Sequence, residues 1–159
     1  MIWVFAPLVA TLVLMELYSD YYKAEELGWN TAFGNNLVLI FVSLDLLRFL
    51  YNKGELGYAT LESALVIAVA ILGVTLTVID FFHSLPKDLA FGMSSHFPVN
   101  IIACLTIIII YSGIKIDIYT GVAAVVISVI VYTILKIVNW IIPDSGEIPE
   151  LENIGEEKK

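Results

Sequence analysis

The sequence lacks the short motifs through which many enzymes hold a phosphate, a metal ion or an activated serine. It contains no glycine-rich phosphate loop, no H-E-x-x-H pair and no G-x-S-x-G turn. It also lacks the ladder of arginines that a voltage sensor requires. Its one cysteine, Cys104, excludes an intrachain disulfide, because a disulfide needs two thiols. We therefore expect no cofactor, and the missing motifs favour a protein that is not an enzyme.

Charged residues are also scarce. Only 15% of the 159 residues are charged and 59% are hydrophobic, whereas soluble domains carry about 25% charged and roughly 45–50% apolar residues. The mean hydropathy of +0.89 agrees with a membrane protein, whose first partner is the lipid bilayer. The net charge of −8 comes without any basic run. This balance argues against binding to nucleic acid and against a polybasic patch for anionic lipid.

Apolar runs separated by turn residues predict an all-α, polytopic integral membrane bundle of five transmembrane helices. The predicted spans cover about residues 2–19, 31–52, 60–82, 98–112 and 118–142. A bilayer core about 30 Å thick requires roughly 20 residues of helix. The run Val99–Ser112 is short, at about 21 Å of helix, so four spans with this run re-entering from one side is the alternative. Residues 143–159 predict an acidic, disordered tail, because the segment is polar and begins with Pro143.

The second predicted helix carries two opposite charges inside its apolar run, Asp45 and Arg48. Residues three apart share one face of a helix. An ion in the hydrocarbon core costs roughly 2.5–3.5 kcal/mol on insertion scales, so we expect these side chains to pair and to face other protein. One interpretation is a structural pair that fixes the rotation of the helix, with Arg48 extending towards the headgroups. The other is a carboxylate that binds an ion, a proton or a polar substrate; the structural interpretation is preferred.

A second constellation lies at the end of the third predicted helix. Asp80 and His83 share a helical face, and this spacing occurs in metal sites. A loop that folds back would add His96, but a metal site needs three or four ligands at fixed geometry. Histidines solvated at a membrane surface are therefore preferred over a metal site. Asp80 is also a candidate ion or proton site, together with Glu16 and Glu62, although Glu16 also fits a solvated helix end.

Small residues step along two of the predicted helices by three or four positions. The third helix carries Ala70, Gly73 and Thr77, and the fifth carries Gly121, Ala124 and Ser128. Small side chains let two helices approach closely within lipid. We therefore expect the third helix to pack through this side, and the small residues of both helices favour association with other helices.

Three classes of function follow from these features. The preferred class is a non-catalytic subunit or interaction protein of a membrane complex, either self-associating or bound to other membrane subunits. The alternative is a small cation- or proton-linked transporter or channel that uses Asp45, Asp80 and Glu16. The third is a membrane enzyme that acts on lipid through Asp80, His83 and His96. A polar cavity shared by Asp45 and Asp80 would favour transport, and capping of both by protein would favour the subunit.

Overall fold

The computed structural model describes residues 2–21, 28–57 and 60–141, and every regular element in these residues is a helix. In chain order the helices are α1 (Ile2–Tyr21), α2 (Trp29–Lys53), α3 (Leu61–Phe81), α4 (Lys87–Met93), α5 (His96–Ser112) and α6 (Ile118–Ile141). The all-α helical bundle predicted from the sequence is therefore confirmed. The predicted acidic tail, residues 143–159, lies outside the described residues.

Four helical segments are long and apolar enough to cross a membrane: Trp29–Lys53, Leu61–Phe81, Lys87–Ser112 and Ile118–Val138. A shorter apolar helix covers Phe5–Tyr18 in α1. The third of these segments differs from the prediction, because it covers 26 residues, including α4, the break between the helices and α5, and not the short run 98–112. Proline is tolerated in a first helical turn, where no N–H is needed, so α5 begins at His96 and includes Pro98. The shortness that suggested a re-entrant segment is therefore absent.

The bundle is organised around the seam between α2 and α3. Both helices bury residues mostly at sequence intervals of three or four, as expected when one face of each helix packs against the other. These residues are Ala32, Asn36, Leu39, Ser43, Leu46 and Leu50 on α2, and Ser63, Val66, Val69, Gly73, Leu76 and Asp80 on α3. A Cβ added at Gly73 would lie 2.9 Å from the Leu39 Cβ and 3.2 Å from the Ile40 backbone nitrogen. Glycine therefore sets the closest approach of the two backbones, on the side of α3 that the small residues predicted.

The directions of the helices follow from contacts at the two ends of this seam. Gly73 lies against Leu39, whereas Asp80, later in α3, bonds to Asn36, earlier in α2, so the two helices run antiparallel. We call the end of the bundle that holds the start of α2 and the end of α3 the Trp29 end. The opposite end, where α2 finishes and α3 begins, is the Lys53 end.

The segment Lys87–Ser112, which contains α4 and α5, runs alongside α2 in the same direction. Ser94 bonds to Asn35 at the Trp29 end, and Tyr111 bonds to Asp45 nearer the Lys53 end. The apolar core is built by α2, α3 and α5, with Leu39, Val66 and Ile107 among its fully buried members. α6 lies at the edge of this core, and Leu135 is the one buried residue among those of its side chains that are described.

Candidate functional site

Three buried polar side chains meet at the Trp29 end. The amide of Asn36 donates hydrogen bonds to Asp80 Oδ2 at 2.7 Å and to Ser94 Oγ at 2.9 Å. Asn36 and Ser94 have no exposed surface and Asp80 is 1% exposed. We call these three residues the Asp80 cluster; it joins α2, the last turn of α3 and the break between α4 and α5.

The sequence explains why Ser94 takes part. In a continuous helix, the carbonyl of Ser94 would accept a hydrogen bond from the N–H of residue 98. Residue 98 is proline, which has no N–H. The side-chain amide of Asn35 supplies the missing donor, at 2.8 Å from the Ser94 carbonyl oxygen. Adjacent asparagines on α2 therefore bond the backbone and the hydroxyl of the same serine, which fixes the helix break against α2.

The Asp80 cluster leaves two oxygens without partners. Among the described residues, Asp80 Oδ1 and Asn36 Oδ1 are both buried and neither has a hydrogen-bond partner. No lysine, arginine or histidine in the described part of the chain forms an ion pair with Asp80. Burial of a carboxylate without a compensating charge costs several kcal/mol. Such unpartnered groups are rare in folded proteins, so this one calls for a physical explanation.

A cavity of about 250 Å³ lies beside Asp80 at the Trp29 end. Its described lining residues are Trp29, Asn30, Phe33, Asp80, Phe81 and His83. The Trp29 ring lies 4.2 Å from the His83 ring between centroids, and it meets Phe91 edge-on at 4.9 Å. His83 has a φ of 51°, a left-handed conformation that residues other than glycine rarely adopt. This conformation turns the chain directly after α3 and brings the imidazole against the start of α2.

A second polar cluster lies nearer the Lys53 end and contains the predicted pair. Arg48 lies 3.2 Å from Asp45 Oδ1, and the hydroxyl of Tyr111 donates to Asp45 Oδ2 at 2.7 Å. The side chain of Asp45 is 24% exposed, whereas that of Arg48 is 76% exposed. The pair therefore forms, but Arg48 does not face other protein as expected, because it lies five residues before the end of α2 and extends outwards. We call Asp45, Arg48 and Tyr111 the Asp45 cluster.

The two clusters occupy separate places on α2. Nine residues separate Asn36 from Asp45, which is about 14 Å of helix. Asp45 is not among the described residues that line the cavity beside Asp80. Both carboxylates are bonded by side chains from neighbouring helices, Asp80 by Asn36 and Asp45 by Tyr111.

Of the other predicted site residues in the described part of the chain, His83 is the one that lines the same cavity as Asp80. Glu62 is in the first turn of α3, eighteen residues before Asp80, or about 27 Å of helix. Glu16 is partly buried in α1. His83 lines the cavity with Asp80, whereas His96 starts α5 and accepts a hydrogen bond from Asn100 through its carbonyl. Within the described residues no three histidine, cysteine, aspartate or glutamate side chains are grouped so that they could hold a metal ion. The metal assignment remains a prediction from spacing.

Sequence reasoning missed four members of these sites: Asn35, Asn36, Ser94 and Tyr111. The signal for Asn36 was present in its register, because it lies between Ala32 and Leu39 on the buried side of α2. A polar residue on an apolar seam needs a polar partner. Asp80 occupies the equivalent seam of α3. Tyr111 carries no comparable signal, because its partner lies 66 residues away in the sequence.

Comparison of the chain with models of protein families, with curated proteins and with solved structures gives no match.

Proposed function

We propose that this chain is a multi-pass protein of the cell membrane that acts without catalysis, as a subunit of a membrane complex. The observation that carries the proposal is the position of α6. It is 24 residues long and apolar, yet most of its surface does not contact the bundle. Its contact with α5 includes the rings of Phe97 and Tyr132, 5.4 Å apart. In lipid, helices associate through close packing and not through the hydrophobic effect.

The small-residue side of α6 is open, in contrast to that of α3. A Cβ added at Gly73 would collide with α2, whereas a Cβ at Gly121 would meet nothing within 4 Å. An apolar groove of about 320 Å³ lies between α5 and α6 and adjoins this side through Ala124. The geometry at Gly121 therefore supports the close approach of a further helix.

A second copy of this chain is the occupant that the charge pattern favours. Lys136 is the one acidic or basic residue between Ile118 and Ile141, and it lies two turns beyond Ser128. A contact through Gly121, Ala124 and Ser128 therefore brings no like charges together. In a two-fold symmetric dimer each copy contributes the same surface, and this side of α6 could serve as that surface in both copies.

The oligomeric state tests this proposal. Fluorescently labelled protein is reconstituted at low density into lipid vesicles, and bleaching steps are counted for each spot. We expect two or more steps for the wild type and one step for Gly121→Leu, which fills the open side of α6. Ile130→Phe is the control, because residue 130 lies on the opposite side of α6 and is 52% exposed. A wild type with single steps, or equal effects of both substitutions, would reject self-association through this side.

The multi-pass topology is tested separately by labelling single cysteines in a Cys104→Ala background. The proposed crossings place Gly54 and Lys115 on one side of the membrane and Ser84 on the other, and all three residues are exposed. Labelling of Ser84→Cys and Lys115→Cys by an impermeant reagent from the same side would mean that the segment Lys87–Ser112 does not cross.

A further inference from the structure

We propose that the Asp80 cluster binds a small alkali cation, with Asp80 Oδ1 and Asn36 Oδ1 as two of its oxygen ligands. The proposal is independent of any role of α6. It begins from the two unpartnered oxygens, which belong to side chains already joined by a 2.7 Å hydrogen bond. A single cation beside both would give each oxygen a partner at once.

The electrostatics of this position favour a cation. Asp80 is the second-last residue of α3, and the C-terminal end of a helix carries a partial negative charge. The last turn of α3 contains no basic residue that would offset it. A buried carboxylate at this place therefore combines two unfavourable terms, desolvation and repulsion by the helix dipole. A bound cation compensates the desolvated carboxylate and is itself attracted by the negative end of the helix dipole.

The chemistry of the ligands restricts the ion. Carboxylate and amide oxygens are hard ligands that suit alkali and alkaline-earth ions, not thiophilic metals. Asp80 supplies one negative charge, and the cluster contains no second acid. A monovalent ion leaves the buried site neutral, whereas a divalent ion would leave a buried positive charge.

The cavity beside Asp80 provides the route to the site. It is lined by Asp80 and by residues at the Trp29 end, of which Asn30 and His83 are exposed. Its volume of about 250 Å³ holds several water molecules, which can complete the coordination of the ion. The cation thus reaches Asp80 from the Trp29 end without passing the apolar core.

The test is the thermal stability of the purified full chain in detergent, at fixed pH and ionic strength, as sodium or potassium chloride replaces choline chloride. A ligand that binds only the folded state raises the melting temperature in a saturable manner. We expect such a rise with at least one of the two alkali ions. Asp80→Asn keeps the shape of the side chain and removes its charge, so it should fold and lose the response. Asp45→Asn, at a position about 14 Å from Asn36 along α2 by the helical rise, should keep it.

Several outcomes would overturn the proposal. They are a melting temperature that no alkali ion changes, a response that survives in Asp80→Asn, and a response that disappears in Asp45→Asn. A wild type that responds to pH and to neither ion binds only a proton, and this result also rejects the alkali site. If Asp80→Asn does not fold, equilibrium dialysis of the wild type against radioactive sodium, with Asp45→Asn as the control, decides whether an ion is bound.

Discussion

The Asp80 and Asp45 clusters place the same chemical group in two different environments. Asp80 is 1% exposed and accepts a hydrogen bond from an amide of the facing helix. No basic side chain among the described residues forms an ion pair with it. Asp45 keeps 24% of its side chain exposed and has both a guanidinium and a phenol as partners. The acid with the fewer partners is thus the more deeply buried one. The burial and the partners of a carboxylate, and not an opposite charge nearby in the sequence, therefore determine how strongly its substitution should change stability.

The two clusters also join different helices. The Asp80 cluster connects α2 to α3 and to the break between α4 and α5, whereas the Asp45 cluster connects α2 to α5 through Tyr111. Only the Asp80 cluster depends on the close seam at Gly73, because α3 contributes no residue to the Asp45 cluster. Substitutions can therefore measure the contributions of the two clusters to stability separately.

The largest effect is expected from Gly73→Leu. The new side chain would enter the space of Leu39 and Ile40, whose nearest atoms lie 2.9–3.2 Å from the added Cβ, including a backbone nitrogen that cannot move alone. Overpacking of a close seam costs about 3 kcal/mol of unfolding free energy, or more where backbone must shift. Unfolding in mixed detergent micelles measures the loss. Gly121→Leu is the control, with a change within about 0.5 kcal/mol in the monomer; equal losses would mean that the seam does not depend on Gly73.

A smaller effect is expected from Tyr111→Phe, which removes one hydrogen bond from the Asp45 cluster. The phenol donates to the carboxylate at 2.7 Å, while the ring lies 4.3 Å from that of Phe49 and can remain there. Hydrogen bonds to charged groups contribute about 1.5–3 kcal/mol, and the partial exposure of Asp45 favours the lower value. The same unfolding experiment measures it. Tyr119→Phe, at a residue that is 80% exposed, should change the free energy of unfolding little. A loss of the same size there would mean that the effect of Tyr111→Phe does not come from its hydrogen bond to Asp45.

The smallest effect is expected from Arg48→Gln. The guanidinium is 76% exposed, and exposed ion pairs contribute about 0.2–1 kcal/mol. A double-mutant cycle with Asp45→Asn should give a coupling energy within that range. A coupling of about 3 kcal/mol would instead mean that the pair is desolvated in its working environment, as the sequence had suggested.

The class of fold was predictable because it depends on quantities that the sequence carries directly. Long apolar runs bounded by Gly54 and Gly113, which end α2 and α5 in left-handed conformations, locate the helices. The interval from Ala70 to Thr77 predicted the side on which α3 packs. These signals are local, and local spacing determines which residues share a helical face.

The partners across helices were not predictable in the same way. Asp45 and Arg48 attracted attention because opposite charges three residues apart are visible in the sequence, yet exposure makes their pairing weak. The bond between Asn36 and Asp80 spans 44 positions and exists only because α2 and α3 pack in one register. Likewise, the effect of Pro98 on Ser94 becomes visible only when Asn35 is brought to the open carbonyl.

The central claim is that Asn36 and the buried carboxylate of Asp80 stabilise each other across the seam between α2 and α3. A double-mutant cycle with Asn36→Leu, Asp80→Leu and the combined variant tests it most directly, through the free energy of unfolding at fixed salt and pH. Asn36→Leu alone leaves a buried carboxylate without its donor, which costs on the order of 3 kcal/mol. The combined variant leaves no such charge, so we predict that it is more stable than Asn36→Leu alone. Losses that simply add would contradict the claim, because two residues that stabilise each other cannot be removed independently.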